Sequence, residues 1–331
     1  MRTVTLGPTS VSALALGCMG LGSLTDDETS FALLDRYAED GGTFLDTADC
    51  YAWWWARGTP GGQSEEVIGR WLARTGRREQ TFVATKGSGR IKDLDAPFAG
   101  GSDRADWSKV DFVGAGASTL RTSLEGSLRR LGVEHIDLYY VHVDDRSTPL
   151  EETLEALAGF VAEGKVRYLG WSNVRTGRLE RIRGLCAANG WPQPVALQQQ
   201  HSYLQPRPGL GTSSIVDDEQ LDYLRERPDL SLVAYSPLLK GLYDAPAAER
   251  TRHEAFGSYQ GVAAGRLSAV DTVAGQLGVK PGQVVLAWLM AQDDPPVVPL
   301  IGTTRLSRYR EAAAALEVKL SAEQLALLDA A

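Results

Sequence analysis

Eight short apolar runs, each followed by a polar stretch with helical periodicity, recur along the 331 residues of this chain. They occupy residues 13–17, 43–47, 81–85, 136–141, 166–170, 195–198, 232–235 and 297–301. A helix between two strands carries the chain back to the edge it left, so this alternation specifies a parallel sheet. Eight such units, with no linker, low-complexity tract or repeat between them, predict an α/β chain folded as one closed (β/α)8 barrel. The predicted domain is single and spans residues 1–331. Residues 4–6 and 11–12, on either side of Gly7-Pro8-Thr9-Ser10, predict a β-hairpin before the first barrel strand, placed to plug the bottom of the barrel. Ser64 is expected to cap a helix that opens with Glu65 and Glu66. Leu120, Leu124, Leu128 and Leu131 form a stripe that stops at Gly132, and Pro149 opens a helix that ends near Gly164.

The composition excludes several roles. A net charge of −8 argues against nucleic acid or an anionic membrane surface as the main partner. No apolar run approaches the roughly 20 residues that span a bilayer, and the first residues lack the apolar core of a signal peptide. Cys18, Cys50 and Cys186 are odd in number and widely spaced, as expected of reduced thiols in a cytoplasmic protein. The histidines are too scattered for a metal cage, so no metal is expected. Nothing in the sequence marks an oligomeric state.

Four residues at or just beyond strand ends carry the chemistry: Asp46, Tyr51, Lys86 and His142. Singly, Asp46 reads as a turn cap, Lys86 as a solvated charge and His142 as a core residue. Together, an acid, a phenol, an ammonium and an imidazole at the ends of successive strands describe the top face of a barrel. Lys86 is expected to lower the pKa of Tyr51, Asp46 to hold Lys86, and His142 to orient a carbonyl oxygen. Such a site donates protons and needs a separate hydride donor. Later strand ends offer it a place. Ser172 and Asn173 present a hydroxyl and an amide, Gln198 ends the sixth strand, and Tyr235 offers an aromatic face for a nicotinamide. After the eighth strand, Gly302-Thr303-Thr304-Arg305 and Arg308 join backbone donors at a helix start to hydroxyls and cations, a phosphate site. Residues 52–63, 87–116, 199–214 and 238–265 are long and turn-rich and should rise over the C-terminal face. Trp53, Trp54 and Trp55 cannot all face one way, so one or two are expected to wall a substrate pocket. Asp144 and Asp145 read as loop carboxylates.

The motifs Phe44-Leu45-Asp46-Thr47-Ala48-Asp49-Cys50-Tyr51, Ser64-Glu65-Glu66-Val67-Ile68-Gly69, Ala84-Thr85-Lys86 and Asp137-Leu138-Tyr139-Tyr140-Val141-His142 resemble those of the aldo-keto reductase superfamily. The run from Gly164 to Asn173 and Tyr235-Ser236-Pro237-Leu238 extend the resemblance over nearly the whole chain. The resemblance implies an NADPH-dependent (TIM-barrel) reductase of aldehydes or ketones, with NADP+ used in reverse. It implies Tyr51 as general acid, Lys86 and Asp46 tuning it, and His142 orienting the carbonyl. Ser172, Asn173 and Gln198 would hold the carboxamide, Tyr235 would stack on the ring, and Ser236, Pro237 and Leu238 would line the cofactor path. Thr303 and Arg308 match the family's 2′-phosphate contacts and Glu311 its adenine contact, with Arg305 an extra cation beside Gly302. The substrate is expected to be a bulky or aromatic small-molecule carbonyl, such as a secondary-metabolite or keto-sugar intermediate. The alternative is a cofactor-binding regulatory subunit with little turnover. The chain departs from the family in its longer loop after Tyr51, in the glycines of Lys86-Gly87-Ser88-Gly89, and in Ala312 where relatives carry asparagine.

Overall fold

The structure is a computed structural model that describes residues 1–55, 57–101 and 104–331. An antiparallel hairpin, β1 (Thr3–Leu6) and β2 (Thr9–Ser12), precedes the first barrel strand β3 (Ala15–Gly17). The chain then runs α1 (Asp27–Glu39), β4 (Phe44–Asp46), α2 (Gln63–Thr75), β5 (Phe82–Gly87), α3 (Ala117–Leu131), β6 (Ile136–Val141) and α4 (Leu150–Ala162). It continues through β7 (Val166–Ser172), α5 (Thr176–Asn189), β8 (Pro194–Gln200), α6 (Asp218–Arg225) and β9 (Ser231–Tyr235). Helices α7 (Ala263–Leu277) and α8 (Pro281–Met290) lead to β10 (Val297–Gly302), followed by α9 (Leu306–Ala313) and α10 (Ala322–Asp329). Strands β3 to β10 pair in parallel in chain order, and β10 returns to β3 to close the barrel. The eight expected strands, the closed barrel and the hairpin are all present.

Side-chain alternation divides each strand between two environments. Leu45, Val83, Tyr139 and Leu197 point outward into the layer beneath the helices. Phe44, Ala84, Leu138, Ala196, Val233 and Val298 fill the interior together with Leu6 and Val11 of the hairpin. The hairpin therefore closes the bottom, and the Gly7 N–H donates to Ser231 Oγ at the start of β9. Gly170 makes room inside: a Cβ there would lie 2.5 Å from the ring of Tyr140. The same alternation, carried one layer up, aims Asp46, Lys86, Gln198 and Tyr235 into the top of the barrel.

Strands β5, β7, β8 and β10 run further than the sequence patterns suggested, whereas β4 stops at Asp46. Lys86 lies within β5 and pairs with Tyr140 of β6, and Ser172 pairs with Gln198. Helix α2 differs in its start. Gly62, with φ 105°, occupies the cap position, and Ser64 lies inside the first turn. The Ser64 hydroxyl bonds instead to the Cys18 carbonyl at 2.7 Å and to Thr47 Oγ1 at 2.7 Å, so it ties α2 to the strand ends. Among the described residues no helix is long and apolar enough to cross a membrane.

Leu6 is fully buried in the plug. Leu6→Ala is expected to cost about 2–4 kcal/mol by lost apolar contact and residual cavity. Urea unfolding measures it; a cost under about 0.5 kcal/mol would show that the hairpin is not part of the core.

Candidate active site

Lys86 has no solvent exposure, and its ammonium is spent on three acceptors. It donates to Asp46 Oδ1, to the Thr47 carbonyl at 2.8 Å and to the Tyr51 hydroxyl at 2.9 Å. The second oxygen of Asp46 accepts from Gln198 Nε2 at 2.7 Å. A buried ion pair survives desolvation only when its remaining hydrogen-bond capacity is met, and here strands β4, β5 and β8 all contribute. Burial raises the pKa of Asp46, against the pull of Lys86.

Tyr51 stands over this pair with 8% of its surface exposed. Its ring meets Trp54 edge-on at 5.7 Å and His142 edge-on at 5.6 Å. The expected lowering of its pKa is not found. Burial pushes the hydroxyl well above its ordinary value, and the Asp46 carboxylate adds to that push. Burial and the Asp46 carboxylate outweigh the Lys86 ammonium 2.9 Å away, so Tyr51 holds its proton. Burial and Lys86 drive the His142 pKa down to about 3, so its imidazole is neutral. Its Nδ1 lies 3.4 Å from the Cys50 sulfur.

A cavity of about 610 Å³ opens beside His142 and is walled by Trp53, Trp54, Trp107 and Phe112. Asn173, Tyr235, Asp144, Arg146 and Arg175 also line it. Of the three consecutive tryptophans, Trp53 is buried and aims its N–H at the Gly89 carbonyl, 3.4 Å away. Trp54 faces the cavity, whereas Trp55 turns aside to donate to Ser23. Asn173 takes a left-handed φ of 54°, which asparagine tolerates. Its amide donates to the Ser172 hydroxyl and to the His142 carbonyl, each at 3.0 Å, and accepts from the Tyr235 hydroxyl at 2.9 Å. Ser236, Leu239 and Lys240 also have left-handed φ, so the chain beyond Tyr235 is held in a sparsely populated conformation. Pro237 accepts from Ser202, and Leu238 is half-buried.

On the far side of the barrel top, β10 ends at Gly302, and α9 begins after Arg305. Thr303 Oγ1 accepts the Arg305 N–H at 3.1 Å, and the side chains of Arg305 and Arg308 stand exposed. Glu311 pairs with Lys280 at 2.7 Å and with Arg308 at 3.2 Å, and Lys280 foremost lowers its pKa. These residues therefore meet in space.

A sequence profile described as the aldo/keto reductase family matches residues 13–331. The chain belongs to the aldo/keto reductase family. It is 33% identical over 328 residues to the uncharacterized oxidoreductase YrpG of Bacillus subtilis, covering 96% of this chain and 91% of that one. It is 32% identical over 334 residues to the aldo-keto reductase yakc [NADP(+)] of Schizosaccharomyces pombe, covering 96% and 87%. Among solved structures, the thermostable aldo-keto reductase Tm1743 in complex with the inhibitor epalrestat superposes with a TM-score of 0.73 at 29% identity. That match covers 100% of this chain and 99% of the other. As a member of a family of carbonyl-reducing oxidoreductases, this chain is an enzyme of that class.

Several residues of this aldo/keto reductase escaped sequence reasoning. Trp107, Phe112, Arg146 and Arg175 reach the cavity from three different loops, with no local pattern to mark them. Lys280 precedes α8, far in sequence from the Glu311 it meets. Behind the site, Glu65 is fully buried and binds Thr85 and, at 2.7 Å, Arg130 Nε, locking α2 and α3 to β5.

Asp49 is also fully buried, 3.4 Å from Arg90 Nε. Burial, then Glu65, raises its pKa to about 6. A carboxyl with a raised folded-state pKa favours folding most below its unfolded value and loses that contribution as pH rises through 6. Asp49→Asn is therefore expected to gain on the order of 1–2 kcal/mol at pH 7.5, and little at pH 4.5. Urea midpoints at the two pH values decide, and an equal gain at both would refute the assignment.

Proposed function

We propose that residues 1–331 act as one barrel domain that reduces an aldehyde or ketone with NADPH, with Tyr51 as general acid. The observation that carries this reading is the Lys86 ammonium 2.9 Å from the Tyr51 hydroxyl, with a neutral His142 edge-on to the same ring at the cavity wall. The carbonyl oxygen is placed between the Tyr51 hydroxyl and His142 Nε2, both acting as donors to it. When bound, NADPH supplies a hydride to the carbonyl carbon. As charge grows on the oxygen, Tyr51 gives up its proton and Lys86 stabilises the phenolate that remains. Solvent then restores the Tyr51 proton, and the reverse sequence oxidises an alcohol.

The chain's own residues fit the cofactor. Asn173 and Ser172 offer the carboxamide an amide and a hydroxyl, held in place by the Tyr235 hydroxyl, and Tyr235 presents its ring to the cavity. Gln198 supports this site through Asp46. Ser236, Pro237 and Leu238 form the path toward Gly302, Thr303, Arg305 and Arg308, where exposed guanidinium groups and a helix start suit a 2′-phosphate. Glu311 completes the adenine side. The NADP(+) in the name of the Schizosaccharomyces pombe relative agrees with this choice.

Trp53, Trp54, Trp107 and Phe112 favour a flat aromatic carbonyl compound. Arg175 lines the same cavity and forms no ion pair among the described residues, whereas Arg146 pairs with Asp144 at 3.3 Å. This arrangement favours an acidic substituent away from the carbonyl.

Tyr51→Phe is expected to lower kcat by about 10²–10⁴-fold with NADPH affinity kept. NADPH oxidation with a panel of aldehydes and ketones reads it, and full activity of the variant would sink the mechanism. NADPH binding without turnover by the wild type on any of them would favour the regulatory reading. Within the panel, 4-carboxybenzaldehyde is expected to show a lower KM than its methyl ester. Arg175→Gln should raise the KM of the acid alone by about 2- to 5-fold, the scale of one exposed charge pair. Equal KM values for acid and ester in the wild type would remove the acidic substituent from the substrate class.

A further inference from the structure

We propose that Cys50 is a positioning residue: its thiol donates to His142 Nδ1 and so keeps the imidazole proton on Nε2, the nitrogen left for the substrate oxygen. This inference rests on the carbonyl-orienting role of His142 proposed above. A neutral imidazole has one N–H and one lone pair, so only one of its two tautomers can donate to a carbonyl. Which one prevails is set by the hydrogen bond at the other nitrogen. In this chain that neighbour is Cys50 Sγ, 3.4 Å from Nδ1. No other partner of either ring nitrogen is present among the described residues.

Three further observations give the contact its direction. The thiol is 1% exposed, and burial holds it protonated, so it has an S–H to give. Divalent sulfur is a weak acceptor, whereas the lone pair of an imidazole nitrogen is a strong one, so S–H···N is the favourable sense. The chain also keeps this line of approach clear. A Cβ on Gly89 would lie 2.6 Å from His142 Nδ1 and 3.0 Å from Cys50 Sγ, wedged against both. Gly89 thus gains a purpose: without a side chain there, the backbone passes beside the pair without wedging it apart. Trp53 anchors the same stretch of backbone by donating to the Gly89 carbonyl at 3.4 Å. The reverse tautomer would turn a lone pair toward the substrate oxygen and repel it.

The test compares Cys50→Val, a near-isostere without a donor, with Cys50→Ser, which restores one. Histidine is labelled with 15N, and the ring nitrogens of His142 are read by long-range 15N–1H correlation in the protein with NADP+ bound. The wild type and Cys50→Ser are expected to show a protonated Nε2 and an accepting Nδ1. Cys50→Val should show a mixture of tautomers, with kcat on an aromatic aldehyde about 5- to 10-fold lower and NADP+ affinity unchanged. That fold-change is the size of one net hydrogen bond. A folded Cys50→Val that keeps the wild-type tautomer, or a wild type protonated on Nδ1, overturns the proposal. If Cys50→Val does not fold, the wild-type and Cys50→Ser spectra still decide it through the protonated nitrogen. The tautomer signal needs no turnover. A wild type with the expected tautomer but no reductase activity would refute the proposed reaction and leave the Cys50 assignment standing.

Discussion

The ion pair between Asp46 and Lys86 governs the top of this barrel. Both side chains are fully buried, where an unpaired charge would cost several kcal/mol, so their geometry admits little variation. Gln198, the Thr47 carbonyl and the Tyr51 hydroxyl use the capacity that the pair leaves over. The pair and its partners come from strands β4, β5 and β8 and the loop that carries Tyr51. Meeting the demands of one buried pair therefore fixes the tyrosine as well. Burial foremost, and the Asp46 carboxylate after it, keeps the proton on Tyr51 in the resting protein, so it does not become a phenolate. In the proposed reaction that is the useful state, because an acid must hold its proton until charge develops on the substrate.

A polar layer of this kind is tolerable only above a dry one. Leu6 and Val11 of the hairpin, with Phe44, Leu138, Ala196, Val233 and Val298, fill the lower barrel without a charged group among them. Alternation along each strand then delivers Asp46, Lys86 and Gln198 two residues above apolar ones. Outside the barrel, Glu65 repeats the device on a smaller scale by tying Thr85 of β5 to Arg130 of α3. Stability and chemistry thus occupy different levels of one structure, as barrels of this kind allow.

The cavity follows another logic. It is lined by strand ends and loops, and the lining mixes indoles and a phenyl ring with the guanidinium groups of Arg146 and Arg175 and the carboxylate of Asp144. Tyr235 and Asn173 hold each other at the strand ends, so the Asn173 amide is preorganised before anything binds. Trp107, Phe112, Arg146 and Arg175 make no hydrogen bond or ion pair to Asp46, Lys86 or Tyr51 among the described residues, so changing them would alter what enters and leave that set in place.

Strand and helix order, the hairpin and the four chemical groups were legible in the sequence, because local periodicity and residue type record which side chains are buried and which can donate protons. Legibility failed where two distant segments meet. Ser64 resembled a helix cap, yet a left-handed Gly62 took that place and freed its hydroxyl to reach Cys18, 46 residues away. The contact between Cys50 and His142 spans 92 residues and exists only because β4, β5 and β6 lie side by side in one register. Trp107, Arg175 and Lys280 found their neighbours in the same way. The sequence by itself determined the eight-unit barrel and the residue types that its strand ends carry, since both follow from short-range patterns. Tertiary structure alone decided the protonation state of Tyr51, the partner of His142 and the composition of the cavity walls, since these depend on burial and on distances between groups that no local pattern encodes.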